Sequence, residues 1–477
     1  MKNRLLLSAL VITVSLISCS AGKTKKEQEV KKPNIIYILA DDLGYGDLSC
    51  YGQQKFQTPN IDKLAEQGIK FSQHYCGAAV CAPSRSTLLS GQHTGHTPIR
   101  GNKELDGEGQ TPIPGSTVTL AEMLKDAGYK TGAFGKWGLG FPGSEGDPNN
   151  QGFDEFYGYN CQRMAHRYYP PYLWHNQEKV ALEGNDWTNT VTYAPDVIQK
   201  ATLQFLDDNK NNTFFAYVPF VLPHAELISP DDSILAKFKG KFEEVPYGGD
   251  YSSDYGPDII TKKYCTQKRP FAAFAAMVAR TDAYVGQIMA KVEELGIADN
   301  TIIMFASDNG PHAEGGANPE FFNSAGGLRG IKRDLYEGGI RTPFIAVWPN
   351  KIKAGSTSDH VSAFWDVLPT CAAIADVKSV EGIDGISFLP ELLGQENQKQ
   401  HDHLYWEFAH QGGRQAVRMG DWKAVLYGLH KKGELELYNL AEDVTETNNV
   451  ADQHPDIVAK MKEILKKEHV DSEIFPL

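Results

Sequence analysis

The segment Cys81-Ala82-Pro83-Ser84-Arg85 places a thiol and a guanidinium at the expected start of a helix. Proline suits the first helical turn, because its fixed φ matches the helix and its missing N–H is not needed there. We therefore predict a helix with Cys81 at or just before the N-cap and Arg85 on the same face. A helix N-terminus and an arginine both bind oxyanions, so this segment indicates chemistry on an anionic group. The alternative is an ordinary helix start with a buried thiol.

Two apolar runs each end in a pair of oxygen-bearing side chains. Residues 34–40 and 301–306 are short and continuously apolar, as is typical of buried strands. They are followed, respectively, by Asp41 and Asp42, and by Ser307, Asp308 and Asn309. Ligands of open α/β sheets bind outside the carboxyl ends of the strands, so we expect the carboxylates and the amide to meet. Such a hard-oxygen set favours Ca²⁺, and Mg²⁺ less so, over Zn²⁺. Two simple polar turns are the alternative.

Together these motifs resemble those of the type I sulfatases, in the alkaline-phosphatase-like superfamily. In that family the cysteine of a Cys-x-Pro-Ser-Arg motif is converted by a maturase into formylglycine, whose hydrated aldehyde is the nucleophile. The resemblance implies formylglycine at Cys81, oriented by Arg85. It also implies a Ca²⁺ ion whose ligands are Asp41, Asp42, Asp308, Asn309 and residue 81. The resemblance extends from about residue 33 to the C-terminus.

Further matched segments imply residues for sulfate binding and leaving-group protonation. Gly135-Lys136-Trp137-Gly138-Leu139-Gly140 resembles the family's Gly-Lys-Trp-His-Leu-Gly run, which implies that Lys136 contacts the sulfate. Pro223-His224 and the segment 328–343 resemble those that carry the leaving-group histidine, His224, and a second lysine, Lys332. The chain departs from the pattern at Gly138, where many members have a histidine credited with helping to release sulfate. Another group must do that work, or the step differs.

Residues 153–176 are dense in Tyr, Arg, His and Trp and show no periodicity. Aromatic faces beside polar donors suit sugars, although core packing better explains the individual tyrosines. We expect His166, Arg167 and His312 to line the substrate pocket. We also hypothesise that His166 or His312 partly replaces the histidine missing from the glycine position. The Gln-Arg-x-Ala-His run resembles a subset of the family and implies a galactose or N-acetylgalactosamine sulfate.

The N-terminus reads as a targeting segment. Residues 1–18 combine a basic start with an apolar run too short to span a bilayer, and they are predicted to be a lipoprotein signal peptide. Leu16 to Cys19 resembles a lipobox, which implies lipidation of Cys19; a plain signal cleaved near Ala21 is the alternative. Residues 19–32 are polar and lysine-rich, as expected of a flexible tether. We expect a protein held by lipid alone on the bacterial outer membrane, in the periplasm or at the cell surface.

Charge and cysteine content narrow the range of partners. The 477 residues carry a formal net charge of −13, which argues against nucleic-acid binding, since that needs a basic face. An anionic substrate must therefore be attracted by local cations. Of the seven cysteines, Cys19 and Cys81 are assigned to lipid and formylglycine. The other five leave the existence and pairing of any disulfide open.

Alternating strands and helices predict an α/β fold. We expect a large α/β/α domain over residues 33–372, with a mostly parallel mixed sheet. Its predicted helices include 59–67, one starting at Thr119 and 271–295, and its predicted strands include 130–134, 214–220 and 341–348. Residues 373–477 are predicted to form a small subdomain with a four-stranded antiparallel sheet and a helix. Its strands are expected at 403–409, 414–419, 421–427 and 434–439, and its helix at 455–467.

The resemblance implies hydrolysis of sulfate esters on a sulfated oligosaccharide or glycan. A phosphate-ester hydrolase of the same superfamily usually carries a Ser or Thr nucleophile and a histidine-rich two-zinc set, which the sequence does not show. A phosphonate-type hydrolase that uses formylglycine stays open. So does a catalytically silent lipoprotein that binds sulfated glycans through an unmodified Cys81.

Overall fold

A computed structural model describes residues 31–105, 108–249 and 264–477. The predicted signal peptide, Cys19 and the tether up to residue 30 lie outside the described residues. Residues Lys32–Leu477 form one compact unit. Helix α10 runs across the predicted boundary between residues 372 and 373, and the division into two domains stays a prediction.

The helices are α1 Pro59–Gln67, α2 Cys81–Ser90, α3 Leu120–Asp126, α4 Gln162–Ala165, α5 Ala194–Asp208, α6 Ser233–Ala236, α7 Pro270–Glu294, α8 Pro319–Phe322, α9 Glu337–Ile340, α10 Val367–Ile374, α11 Leu389–Leu392 and α12 Pro455–Lys467. Among these described helices, none combines the length and apolarity needed to cross a bilayer. The strands are β1 Asn34–Ala40, β2 Ile69–Phe71, β3 His74–Tyr75, β4 Lys130–Lys136, β5 Glu155–Tyr159, β6 Tyr172–His175, β7 Glu178–Ala181, β8 Phe214–Pro219, β9 Thr301–Ser307, β10 Phe344–Val347, β11 Ser356–Ser358, β12 Ser362–Ala363, β13 Leu404–Phe408, β14 Arg414–Met419, β15 Trp422–Tyr427 and β16 Leu435–Asn439.

Ten strands form the main sheet, in the order β11-β2-β10-β9-β1-β8-β4-β5-β6-β7. The central strands β9, β1, β8, β4 and β5 are parallel to one another. Antiparallel partners, β10 on one side and β6 on the other, join this parallel centre. The sheet is therefore mixed and mostly parallel at its centre, as predicted.

Both faces of the main sheet are covered by helices. Along β1, Ile35 and Tyr37 belong to a buried cluster that includes residues of α2, α3 and α10. Ile36 and Ile38 point the other way, into a cluster that includes residues of α1, α5 and α7. Burial on both faces explains why β1 reads as a continuous apolar run instead of alternating with polar residues. The predicted α/β/α layering is confirmed.

Local sequence signals predicted the bounds of several helices and strands closely. The observed bounds of α2, β4 and β10 differ from the predicted ones. The helix of the Cys81 motif begins at Cys81 itself, with Val80 as the N-cap, so the prediction was wrong by one or two residues. Pro83 is its third residue, where an N–H also has no intrahelical acceptor. Strand β4 continues two residues further than predicted, and β10 begins only after Pro343, which lacks an N–H for the ladder.

Strands β13 to β16 form the predicted four-stranded antiparallel sheet, in sequential order. Met461 and Leu465 of α12 are buried against its apolar face. The described cysteines are all unbridged, namely Cys50, Cys76, Cys81, Cys161, Cys265 and Cys371.

A buried lysine of this small sheet forms ion pairs with Glu337, at the start of α9, and with Glu446. Lys423 of β15 is fully buried, and its Nζ lies 2.9 Å from both Glu337 Oε1 and Glu446 Oε1. Removing one partner of a buried ion pair leaves uncompensated charge. Lys423→Met should therefore lower the free energy of unfolding by about 3–5 kcal/mol in urea titrations. Lys467→Met, which removes an exposed lysine, should change it by less than about 0.5 kcal/mol. Equal values for the two variants would contradict this account.

Candidate active site

The carboxyl ends of β1 and β9 bring four of the five predicted metal ligands together. The two strands are parallel neighbours with Ala40 opposite Ser307, so the residues that follow each strand emerge side by side. The Asp42 backbone N–H donates to Asp308 Oδ1 over 3.0 Å, and Asn309 Nδ2 donates to Asp42 Oδ1 over 2.6 Å. All four side chains, Asp41 included, are buried.

The chemistry of this cluster fits a hard divalent cation. Asn309 Oδ1 is buried and has no hydrogen-bond partner among the described residues. Burial and the nearby Asp41 carboxylate raise the pKa of Asp308 to about 7, which reflects crowded negative charge. Oxygen atoms from Asp41 and Asp42, with Cys81 and His224 beside them, lie close enough together to hold an ion. A cation here would be coordinated by the free amide oxygen of Asn309, and its charge would neutralise the carboxylates.

Cys81 is the first residue of α2 and points into this cluster. Its Sγ lies 3.3 Å from Asp41 Oδ1 and 4.0 Å from Asp42 Oδ1. Burial and the Asp41 carboxylate raise the pKa of the Cys81 thiol well above its usual value. The unmodified side chain is therefore a protonated thiol at neutral pH and a poor nucleophile. The next N–H of the helix, that of Ala82, donates to Asn102 Oδ1, a contact that the sequence did not reveal.

Arg85 and Lys136 lie on the other side of the cluster. Arg85 donates twice to Asp308 Oδ2, from Nε over 3.1 Å and from Nη2 over 2.8 Å. Its Nη1 donates to the carbonyl oxygen of Lys136. Lys136 ends β4, and its Nζ lies 2.7 Å from Asp41 Oδ2. Burial alone would raise the pKa of Asp41, but the Lys136 ammonium and further cations hold it well below its usual value.

His224 and Lys332 form a hydrogen-bonded pair beside Asp42. Lys332 Nζ lies 2.7 Å from Asp42 Oδ2 and 2.9 Å from His224 Nε2. His224 Nδ1 faces the carbonyl oxygen of Ala225, so Nδ1 carries the proton and Nε2 accepts from Lys332. Burial and the Lys332 charge lower the pKa of His224 well below its usual value. Burial opposes the charge of Lys332, but Asp42 and Glu314 outweigh it and raise the pKa of that lysine.

The two predicted pocket histidines stack on the faces of His224. The ring centroid of His166 lies 4.6 Å from that of His224, and that of His312 lies 5.6 Å away on a nearly parallel plane. Both therefore lie beside the predicted leaving-group residue, and their role in place of the missing histidine stays a hypothesis. Arg167 forms a buried ion pair with Glu226, with 2.8 Å between Nη1 and Oε2, and its part in substrate binding also stays a prediction.

The backbone at Gly138 leaves little room for a larger residue. Its φ is +79°, in the left-handed region that favours glycine. A Cβ at this position would lie 2.8 Å from Nε2 of the buried Gln162, the first residue of the Gln-Arg-x-Ala-His run. The side chain that approaches the site of the missing histidine is thus an amide.

Alanine substitutions at two glycines separate this crowding from the backbone effect. Gly128 also has a positive φ, +91°, but a Cβ there meets nothing within 4 Å. We expect Gly128→Ala to lower the free energy of unfolding by about 1–2 kcal/mol, for the backbone alone. Gly138→Ala should cost about 2–3 kcal/mol, because the end of the Gln162 side chain must also move. Thermal unfolding measures both, and equal losses would show that Gln162 does not restrict position 138.

Glu314 is a further site residue that sequence reasoning missed. Its Oε2 lies 3.5 Å from Lys332 Nζ and accepts from the Tyr264 hydroxyl over 2.8 Å, while Oε1 contacts Arg333. A lone glutamate between two glycine-containing turns carries no motif, so only the fold reveals its contacts.

Comparisons with known proteins agree with this geometry. The model of the sulfatase family matches residues 33–377, and that of the N-sulphoglucosamine sulphohydrolase C-terminal region matches residues 331–471. The chain is 32% identical to N-acetylgalactosamine-6-O-sulfatase of Bacteroides thetaiotaomicron, over 98% of this chain and 99% of that protein. It is 30% identical to human arylsulfatase A, over 93% and 89% of the two chains.

The architecture is shared as well. The crystal structure of Ps i-CgsB in complex with k-i-k-neocarrahexaose superposes with a TM-score of 0.76 at 28% identity, covering 92% of this chain and 93% of that one. Sulfatases generally use formylglycine and a metal ion, and this chain has a motif cysteine and an acidic cluster where those groups would lie. The match of the family model to most of the chain, with the convergence of these residues, shows that the chain belongs to the sulfatase family and is a sulfuric ester hydrolase.

Proposed function

We propose that this sulfatase removes sulfate from galactose or N-acetylgalactosamine residues of glycans, using formylglycine at position 81 and Ca²⁺ in the acidic cluster. The proposal is carried by one observation: the first residue of α2 points at Asp41 and Asp42, and Lys136 and Lys332 meet the same two carboxylates. A nucleophile position, a cation site and two ammonium groups therefore surround one point. That arrangement suits a small oxyanion such as a sulfate ester.

The substrate class rests on the similarity to the Bacteroides thetaiotaomicron enzyme. That relative is named an N-acetylgalactosamine-6-O-sulfatase, and the two chains align over nearly their whole lengths. The 6-sulfate of N-acetylgalactosamine is therefore the first substrate to test, with galactose sulfates next.

A modified residue 81 accounts for the surroundings of the cysteine. A buried thiol with a raised pKa makes an unsuitable nucleophile, whereas formylglycine supplies a hydrated aldehyde hydroxyl at that position. Arg85 is held by Asp308 and by the Lys136 carbonyl, so it can orient residue 81 from one side. A formylglycine-generating maturase is then a required partner.

The cation site would be formed by Asp41, Asp42, Asp308 and the free Oδ1 of Asn309. Ca²⁺ bound there supplies fixed positive charge for the sulfate oxygens. Lys136 Nζ, on Asp41, would release that carboxylate to the ion and donate to a sulfate oxygen instead. Its burial keeps water away, which strengthens the electrostatic stabilisation of the transition state.

The Lys332–His224 pair would protonate the leaving sugar oxygen. Lys332 Nζ donates to His224 Nε2 over 2.9 Å, so one proton is shared between these two atoms. A proton given from this pair to the departing oxygen is replaced from solvent after the product leaves. His166 and His312 would hold the His224 ring in place by stacking against it.

We also propose that the protein is anchored to the bacterial outer membrane through lipid on Cys19. The support is the lipobox-like sequence that ends at this cysteine, after a basic and apolar leader. Labelling of growing cells with an alkyne fatty acid should mark the wild-type protein and spare Cys19→Ala. Equal labelling of the two proteins would contradict lipidation at this residue.

A substrate panel tests the proposed activity. The protein is produced with a maturase and assayed for anion release from N-acetylgalactosamine 6-sulfate, galactose 6-sulfate and matched phosphate and phosphonate esters, with Ca²⁺ or a chelator. We expect sulfate release that depends on Ca²⁺ and exceeds release from the other esters. Preference for a phosphonate ester would favour that hydrolase class. Binding of sulfated sugars without turnover would favour the silent binding protein.

A further inference from the structure

We propose that Arg333 binds a second anionic group of the glycan, a sulfate or a carboxylate, next to the sulfate ester that is hydrolysed. This inference rests on the proposed function and assigns a substrate-specificity role that the reaction itself does not require. It is drawn from the position, backbone conformation and exposure of this one arginine.

Arg333 lies at the boundary between the buried leaving-group pair and solvent. Lys332 is 3% exposed, whereas the side chain of the next residue, Arg333, is 38% exposed. The two are linked by Glu314, whose Oε1 contacts Arg333 Nη2 and whose Oε2 lies 3.5 Å from Lys332 Nζ and 3.9 Å from His224 Nε2. The guanidinium is therefore one carboxylate away from the atoms that would meet the leaving sugar.

The backbone of Arg333 is held in an unusual conformation. Its φ is +80°, in the left-handed region that residues other than glycine seldom adopt. Two contacts fix this conformation. The Arg333 N–H donates to the Ala79 carbonyl over 2.8 Å, and Arg414 Nη1 donates to the Arg333 carbonyl. Strained conformations that neighbours hold in place cluster at functional sites, because they aim a side chain that a relaxed backbone would direct elsewhere.

Arg333 is the most exposed of the basic side chains that meet Glu314. Glu314 is shared by the cations of Lys332 and Arg333, and it also accepts from the Tyr264 hydroxyl. Arg414, the next cation outward, is matched by Asp334 at 3.0 Å. Lys332 is also paired with Asp42 at 2.7 Å, so Arg333 is the cation of this group that is open to solvent. A guanidinium in this setting suits an oxyanion, which it can bind through two parallel hydrogen bonds.

Arg329 provides a matched control in the same segment. It is 40% exposed, nearly the same as Arg333, but its guanidinium stacks on Tyr336 and donates to the Tyr438 hydroxyl over 2.9 Å. Its guanidinium therefore contacts Tyr336 and the C-terminal sheet and not Glu314.

The test compares three substrates that share one scissile ester: N-acetylgalactosamine 6-sulfate, the same sugar linked to a uronate, and a disulfated sugar. Arg333→Ala should lower the kcat/KM of at least one dianionic substrate relative to the monosulfated sugar by about tenfold or more, mainly through KM. The substrate that loses most identifies the second group as carboxylate or sulfate. Arg333→Lys should recover part of the ratio, and Arg329→Ala should leave it unchanged.

Two results would overturn the inference. An equal loss of kcat/KM on all three substrates would show a structural role for Arg333. Wild-type kcat/KM on all three would show that Arg333 contacts no anionic group. Failure of the proposed function is separate, because it appears as absence of turnover in the wild-type protein. In that event, calorimetric binding of the same three sugars to the Cys81→Ala protein, with and without Arg333→Ala, measures the same ratio.

Discussion

Replacing Cys81 by alanine is expected to lower the turnover of sulfate esters by about 10⁴-fold or more, because it removes the only source of the proposed nucleophile. The fold should survive, since the residue is small and the substitution deletes a single buried atom at the start of α2. Circular dichroism and thermal unfolding check the fold, and calorimetry with N-acetylgalactosamine 6-sulfate checks whether binding persists.

Cys76→Ala is the matched control for this variant. Cys76 is also buried, but its Sγ donates to the Ala78 backbone carbonyl over 3.1 Å, whereas that of Cys81 meets carboxylates. Its replacement removes the same atom from a comparable environment, so turnover should stay within a few-fold of the wild type. If the Cys81 and Cys76 variants lose activity equally, position 81 does not supply the nucleophile.

Asp42→Asn should lower kcat/KM by about 10²–10³-fold, the effect expected when charge stabilisation at the reacting group is lost. The substitution removes the charge without straining the backbone, because asparagine also tolerates the left-handed φ of +62° that Asp42 adopts. Asp42 meets both Lys332 and Asn309, so its loss weakens the cation site and releases the proposed leaving-group acid. Steady-state kinetics over a range of Ca²⁺ concentrations measure both effects.

Asp47, five residues further on, provides the matched control for removing the Asp42 charge. Asp47 is buried as well, and burial raises its pKa to about 7, but its carboxylate accepts from the Gly44 N–H and lies outside the cluster. Asp47→Asn keeps an acceptor for that bond and should change kcat/KM by only a few-fold. An Asp42→Asn enzyme that keeps wild-type activity and Ca²⁺ dependence would contradict the proposed site.

Much of the fold follows from short-range signals. Helices α1 and α12 match the predicted bounds, because each begins with a proline in its first turn and ends where the periodic apolar pattern stops. The Thr119 and Glu122 capping box starts α3 as predicted. The length and continuity of the apolar runs were enough to predict β1 and β9, since both faces of these strands are buried.

Other parts depended on contacts that no local pattern carries. Residues 153–176 gave no strand prediction, yet they contain β5 and β6, because pairing of β5 with β4 and of β6 with β5 outweighs their lack of alternation. The core site residues were found through matched motifs. Glu314 carries no motif, and the Gln-Arg-x-Ala-His run did not predict that Gln162 lies beside Gly138. These contacts come from the cations and the glycine that the fold places beside the two residues.

The central claim is the modification of residue 81, and the mass of the peptide that contains it tests that claim most directly. The protein should be purified from cells that hold a formylglycine-generating maturase, and its sulfatase activity measured on the same sample. The account predicts loss of the thiol and gain of an aldehyde at position 81. An unmodified cysteine in a sample that hydrolyses sulfate esters would contradict it.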